Sequence, residues 1–320
     1  MMKVKKFAKY IALAAALLFL AVAIIIYPER YVQTTLQGFL LWAECVLPSL
    51  FPFMVITLIF IKCGLAEKAA LPLRRVTGAV KLPPAASICF IMSVCSGYPA
   101  GARIVSEFYE GGAIDKTDCK KLAYLCSTSG PLFIIGSVGF KMFGDKGAGG
   151  ILFAAHAIAV FTVAIIISLC SKKRVNGTYY APNRSNNVLY DSFYAAVISV
   201  CVAGGFIAFF VTAARVCADF GLLIPLEKLF TPLLGKEVAA ALCTGLFEST
   251  AGCKALAGAG GKLALPLAGA VITFGGISIV FQQLCYLLKC GVSPLKFIAV
   301  KFLQAVICFL IVLLIISVTA

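Results

Sequence analysis

The segment Ser96-Gly97-Tyr98-Pro99-Ala100-Gly101 interrupts an apolar stretch that covers about 83–110. Proline has no amide proton and clashes with the preceding turn, and glycine costs the most entropy to fix, so a helix does not continue through this run. A second apolar stretch, 238–260, is broken in the same way by Glu248-Ser249-Thr250-Ala251-Gly252. Each half is too short for a hydrocarbon layer of ~30 Å, which takes about 20 helical residues. Both stretches are therefore predicted to be re-entrant hairpins, in which a half-helix descends, an unwound segment turns, and a second half-helix returns.

The surrounding chain sets the environment. Of 320 residues, 62% are hydrophobic and only 13% charged, more apolar matter than a soluble core can bury. This excludes a soluble enzyme, a disordered regulator and a disulfide-stapled secreted scaffold. Further spans are predicted over 36–62, 122–143, 148–170, 190–214, 263–288 and 296–318. Pro48 and Pro52 should kink the first of these, and Trp42 marks an interfacial approach. An earlier apolar run, 10–27, follows Lys3, Lys5, Lys6 and Lys9. It continues past the small-residue site at Ala21 and Ala23, so it is read as an uncleaved first span rather than a signal peptide.

Charge orients this arrangement. The net charge is +15, and in membrane proteins excess lysine and arginine collects on cytoplasmic loops. With both hairpins re-entrant and the N-terminus cytoplasmic, nineteen basic residues, Lys301 included, fall on inside segments and seven outside; Arg103 and Lys254 sit at the hairpin turns. The fold expected is an all-α polytopic membrane protein with an inverted repeat, two re-entrant helical hairpins and interrupted transmembrane helices. Its parts are an N-terminal transmembrane anchor at 1–30, a first repeat at 31–171, a cytoplasmic linker at 172–187 and a second repeat at 188–320. Three crossings per repeat is an odd number, so the two repeats should lie in opposite orientations.

Arg103 and Lys254 are the leading candidate binding residues. A cation near the bilayer centre costs about 2.5 to 3.5 kcal/mol on insertion scales and needs compensation. One reading pairs Arg103 with Glu107 and Lys254 with Glu248 as internal salt bridges. The other turns both cations toward a common cavity, where half-helix N-termini near Gly101 and Gly252 add donors for a small anionic solute. Gly97 and Tyr98 at the first turn, and Ser249 and Thr250 at the second, belong to the same candidate site. Ser127, Thr128 and Ser129 in one interrupted span, and Thr273, Ser278 and Gln282 in the other, complete it. Glu248 is weighed as a coupling site or as the partner of Lys254. His156, alone on an apolar helix, reads as a packed polar residue.

Several classes receive no support. The 14 cysteines contain no C-x-x-C spacing and there is one histidine, so no metal or other cofactor is expected. No catalytic constellation appears, and the basic residues sit where loops need them, so neither an enzyme nor a nucleic-acid binder is expected. The expected partners are a small anionic solute and the lipid bilayer. Homo-oligomers or association with other membrane proteins stay open.

The run Cys95-Ser-Gly-Tyr-Pro-Ala-Gly-Ala-Arg103, the segment Cys126-Ser-Thr-Ser-Gly-Pro-Leu-Phe-Ile-Ile-Gly136 and the segment Gly245-Leu-Phe-Glu-Ser-Thr-Ala-Gly252 resemble the sporulation integral membrane proteins of the YlbJ type. These are members of the nucleoside-recognition, or Gate-domain, superfamily. The resemblance extends from about residue 36 to the C-terminus. It implies a fold similar to concentrative nucleoside transporters and a role in endospore formation. For the sporulation subgroup it implies movement of dipicolinate, an aromatic dicarboxylate, out of the mother cell across the outer forespore membrane. Nucleoside transport, or a non-transporting gate or scaffold needed for spore assembly, are the alternatives.

Overall fold

The computed structural model describes residues 2–170 and 187–319, and among the described residues all regular structure is helical. The predicted linker, 172–187, lies outside the described residues except for Asn187, whose side chain caps the next helix at Tyr190 N–H. Helix α1 spans Met2–Ile26 and α2 spans Pro28–Lys62. A π-type turn at Trp42–Val46 lies just before Pro48. Trp42 is half-buried there and packs on Gly204 of a later helix, so it is a packing residue as well as an amphipathic one. Short helices α3 (Leu65–Ala70) and α4 (Leu73–Ala79) lead to α5 (Ala86–Ser96) and α6 (Ala100–Glu110).

Next come α7 (Lys116–Leu125), an unwound stretch, the π-wound α8 (Leu132–Met142) and the long α9 (Lys146–Cys170). The start of α7 is fixed by Asp115, whose carboxylate accepts the Thr117 and Asp118 amides, as an N-cap should. After the linker follow α10 (Val188–Asp219), α11 (Ile224–Leu234), α12 (Lys236–Phe247), α13 (Ser249–Ala259), α14 (Ala264–Phe274), α15 (Gly276–Leu287) and α16 (Pro294–Thr319).

Five of these segments are long and apolar enough to cross a membrane: Pro28–Lys62, Lys146–Cys170, Val188–Asp219, Ala264–Leu287 and Pro294–Val318. The apolar part of α1, Tyr10–Ile26, is shorter. The stretch predicted over 122–143 is not one continuous helix, because α7 ends at Leu125 and α8 begins at Leu132. Large apolar side chains such as Leu18, Ile25, Phe209, Phe302 and Leu314 cover the outside of the bundle, as lipid contact requires.

Both broken stretches fold into helical hairpins, α5 against α6 and α12 against α13. An 11-residue half such as α5 rises about 16 Å at 1.5 Å per residue. Packing across the bundle is reciprocal. Helix α6 lies against α15 and α13 against α8, while α2 packs on α5 and α10 on α12. The element order of 28–170 thus recurs in 188–319: long helix, short helices, hairpin, broken helix, long helix.

Close backbone approach makes the hairpins possible. A side-chain carbon added at Gly252 would overlap the backbone of Gly245 across the second hairpin, and one at Gly101 would overlap Ser93 and the Cys126 carbonyl. Gly245 and the Cys126 carbonyl are backbone and cannot swing aside, and overpacking of this kind costs about 1 to 3 kcal/mol or more. Gly252→Ala should therefore lower the melting temperature of the detergent-solubilised protein by several degrees. Gly258→Ala, in the same helix with open space around it, should leave it unchanged or raise it, as helix propensity dictates.

Candidate functional site

Four interruptions in helical hydrogen bonding meet in the middle of the bundle: the α5–α6 turn, the α7–α8 break, the α12–α13 turn and the α14–α15 break. Each leaves amides and carbonyls that lipid cannot satisfy. Buried side chains meet them instead.

His156, on α9 and 1% exposed, joins the two broken helices. The Ser129 amide donates to its Nε2 at 3.0 Å, so that nitrogen carries the lone pair. The proton is then on Nδ1, which donates to the Thr273 hydroxyl at 2.9 Å. The Thr128 hydroxyl lies 2.9 Å from Nε2. The neutral Nδ1–H tautomer follows from this geometry. His156 is thus a packed polar residue, as its isolation on an apolar helix predicts.

Lys301, near the start of α16, is fully buried. Its ammonium donates to the Tyr98 hydroxyl at 2.7 Å and to the Ser127 carbonyl at 3.1 Å. The Ser127 hydroxyl donates to Gln283 Oε1 at 2.5 Å, and Gln304 donates to the Tyr124 carbonyl at 3.1 Å. The buried C-terminal end of α7 is in this way held by three side chains from the other half of the chain.

A cavity lies beside this network, with about 30 Å³ accessible to the centre of a water molecule. That is room for two or three waters, at ~10–15 Å³ each by this measure. Its polar lining is Tyr98, Ser129, Glu248, Thr250 and Gln282; apolar residues of α2 and α10, such as Leu50 and Ile207, close the other side. Tyr98, Ser129, Glu248 and Thr250 lie at the starts of α6, α8 and α13, and the first turn of α15 meets the cavity through Ile279, with Gln282 one turn farther on. The positive ends of four helix dipoles therefore surround one small space. Glu248 caps α13, its Oε2 accepting the Ala251 amide at 2.6 Å. Its Oε1 is buried and has no hydrogen-bond partner among the described residues.

The remaining predicted residues support the site's backbone. Ser278 accepts a hydrogen bond from Gln282 at 3.3 Å. Gly97, with φ +67°, packs on Gly130, and Gly101 lies under the Cys126 carbonyl. Ser249 is buried and its hydroxyl has no hydrogen-bond partner among the described residues.

Two expectations are corrected. Arg103 and Lys254 do not face a common cavity, and neither lines the one observed. Arg103 pairs with Glu107 at 2.8 Å and donates to the Ser199 hydroxyl at 2.7 Å on α10, which is the internal salt bridge weighed for it. Lys254 is exposed, because Gly252, Cys253 and Leu256 occupy the buried face of α13 and each helical residue turns by about 100°. Glu248 caps its own helix rather than pairing with Lys254. The second correction concerns Lys301, which the charge count placed on an inside segment and which instead lies in the bundle interior. Phe297, Lys301, Gln304, Cys308 and Val312 are all fully buried, at the three- and four-residue spacing of one helical face. That stripe was the available signal.

The chain resembles the sporulation integral membrane protein YlbJ of Bacillus subtilis (strain 168). The two are 23% identical over 325 residues, covering 92% of this chain and 79% of YlbJ. The likeness to YlbJ agrees with the resemblance carried by the Cys95–Arg103 and Cys126–Gly136 segments. No family model matches the chain, and no solved structure matches it. Together with the five apolar helices, the relationship to YlbJ makes this a multi-pass membrane protein with a sporulation relative.

Replacing His156 tests the architecture of the site. His156→Ala leaves the Ser129 amide without an acceptor and removes the partner of Thr273, at about 1 to 3 kcal/mol for a buried unsatisfied group. His156→Gln returns an oxygen near the Nε2 position and should recover part of that loss. Thermal unfolding in detergent should rank wild type above Gln and Gln above Ala.

Proposed function

We propose that the protein is a multi-pass transporter of a small anionic solute, built as an inverted repeat whose two hairpins are re-entrant. The single observation that carries this reading is the convergence of four half-helix starts on one buried cavity. Aligned helix dipoles favour negative charge there, and broken helices meeting near the bilayer centre are the common site design of secondary transporters. The reciprocal packing of the two halves supports the repeat. The resemblance to YlbJ supplies the rest: dipicolinate as the solute, spore formation as the setting, the outer forespore membrane as the location, with the N-terminus cytoplasmic. Tyr98, Ser129, Thr250 and Gln282 are the residues assigned to the solute; Arg103 and Lys254 are not.

A nucleoside is the second reading, because the lining holds Glu248, an amide and hydroxyls, groups suited to ribose hydroxyls and base edges. Uptake by the full-length protein in proteoliposomes separates the two. Labelled dipicolinate should accumulate and labelled uridine should not. The double variant Thr250→Val with Gln282→Leu should reduce uptake at least about tenfold, since each lost hydrogen bond to a charged group is worth ~1.5 to 3 kcal/mol, while its melting temperature stays near wild type. Uridine uptake alone would favour the second reading. No flux of either solute by folded protein would favour a gate or scaffold role.

A further inference from the structure

The Lys301 side chain is fully buried, with no carboxylate paired to it among the described residues. Its hydrogen-bond acceptors are the Ser127 carbonyl at 3.1 Å and the Tyr98 hydroxyl at 2.7 Å, and its ammonium lies 4.7 Å from the centre of the Tyr98 ring. The Tyr98 hydroxyl in turn lies 3.2 Å from the Ser127 carbonyl and 3.3 Å from the Thr273 carbonyl. Ser127 lies two residues past Leu125, the end of α7, and Thr273 belongs to the last turn of α14. The negative ends of two helix dipoles, one from each half of the chain, therefore supply the counter-charge that no side chain provides. The Tyr98 ring face adds a cation–π contribution.

Carbonyls released at the C-terminal ends of broken membrane helices are ligands for free monovalent cations in secondary transporters. Here the same kind of carbonyl is taken by an amine that belongs to the protein. We infer that the Ser127–Thr273–Tyr98 junction is a monovalent-cation site filled by the chain's own Lys301 ammonium, so that the junction holds its shape without a free sodium ion. The ammonium is tethered to α16 and bonds the Ser127 carbonyl beyond α7 and the Tyr98 hydroxyl, which in turn reaches the Thr273 carbonyl of α14, so one side chain links three helix ends through Tyr98. This deepens the transport reading above and rests on it only for the consequence that transport needs no sodium at this junction; the site itself is a property of the folded protein.

Melting curves of the full-length protein in detergent test it, with sodium chloride compared against choline chloride at equal ionic strength. Wild type should melt within about 1 °C in the two salts, because no vacant site is there to be filled. Lys301→Ala should melt lower than wild type in choline. It should regain at least about half of that loss, saturably, in sodium or methylammonium chloride. Lys301→Met, which refills the space with apolar atoms, should gain nothing from either salt. Specific stabilisation of wild type by sodium would overturn the inference. So would a folded Lys301→Ala that no monovalent cation restores, which would mean that the amine serves as a neutral hydrogen-bond donor. Should Lys301→Ala not fold, the wild-type comparison and the response of Lys301→Met still decide, since sodium stabilisation of either counts against the site. In proteoliposomes, uptake should be equal with sodium or choline outside. A sodium requirement would overturn the transport consequence, whereas absence of uptake in both media would count against the transport reading and leave the cation site to the melting data.

Discussion

Backbone groups that leave a helix inside an apolar bundle have no water to turn to, and this constraint organises the molecule. Two hairpin turns and two mid-helix breaks expose amides and carbonyls at one level of the bundle. A structure with so many released groups holds only if side chains from neighbouring helices meet them. His156 takes the Ser129 amide, Lys301 takes the Ser127 carbonyl, Ser93 donates to the Cys126 carbonyl and Gln304 donates to the Tyr124 carbonyl. Most of these contacts join segments far apart in the chain, so the act of satisfying the breaks also locks the halves together.

The released groups are sorted by sign. Helix starts gather around the cavity, and the carbonyl ends of α7 and α14 gather around Tyr98 and Lys301. Tyr98 stands on the boundary: it lines the cavity and also accepts the Lys301 ammonium. Two helix breaks are enough to create this separation, because each break yields one positive and one negative dipole end at nearly the same place. Opposed halves then put like ends on the same side.

The backbone plan was legible in the sequence and the side-chain chemistry was less so. Gly97, Pro99 and Gly101 in an apolar run, and Glu248-Ser249 in another, announce hairpins because interruptions of that density have few other outcomes in lipid. The all-helical fold follows from hydropathy in the same way. The site was partly legible. Tyr98, Ser129, Thr250 and Gln282 do meet, since breaks in corresponding places converge when the halves pack. Arg103 and Lys254 misled because charge in an apolar stretch marks a problem to be solved without saying how: one is solved by Glu107 four residues on, the other by facing outward. Lys301 was missed because it lies close to Lys296 and Ser293-Pro294, where it reads as the last cation of a loop. Only the buried face shared with Phe297, Gln304 and Cys308 distinguishes it.

The cavity is smaller than the sites of aromatic solutes, which run to roughly 300 Å³ or more, so the proposed transport requires it to enlarge. Its walls differ in kind. On the side of the breaks, directed hydrogen bonds through His156, Lys301 and Gln283 fix the backbone, and enlarging the space there would strand several buried polar groups at once. On the side of α2 and α10, Val46, Leu50, Ala203 and Ile207 meet the cavity through apolar contact. Between α10 and the first hairpin, the polar links are those that Arg103 makes to Ser199 and the Ala195 carbonyl. Apolar surfaces slide with little change in energy so long as they stay packed, whereas broken hydrogen bonds in lipid are not replaced. Room for a solute therefore costs least where α2 and α10 cover the hairpins, and Arg103 is the polar tie that such a movement would have to release.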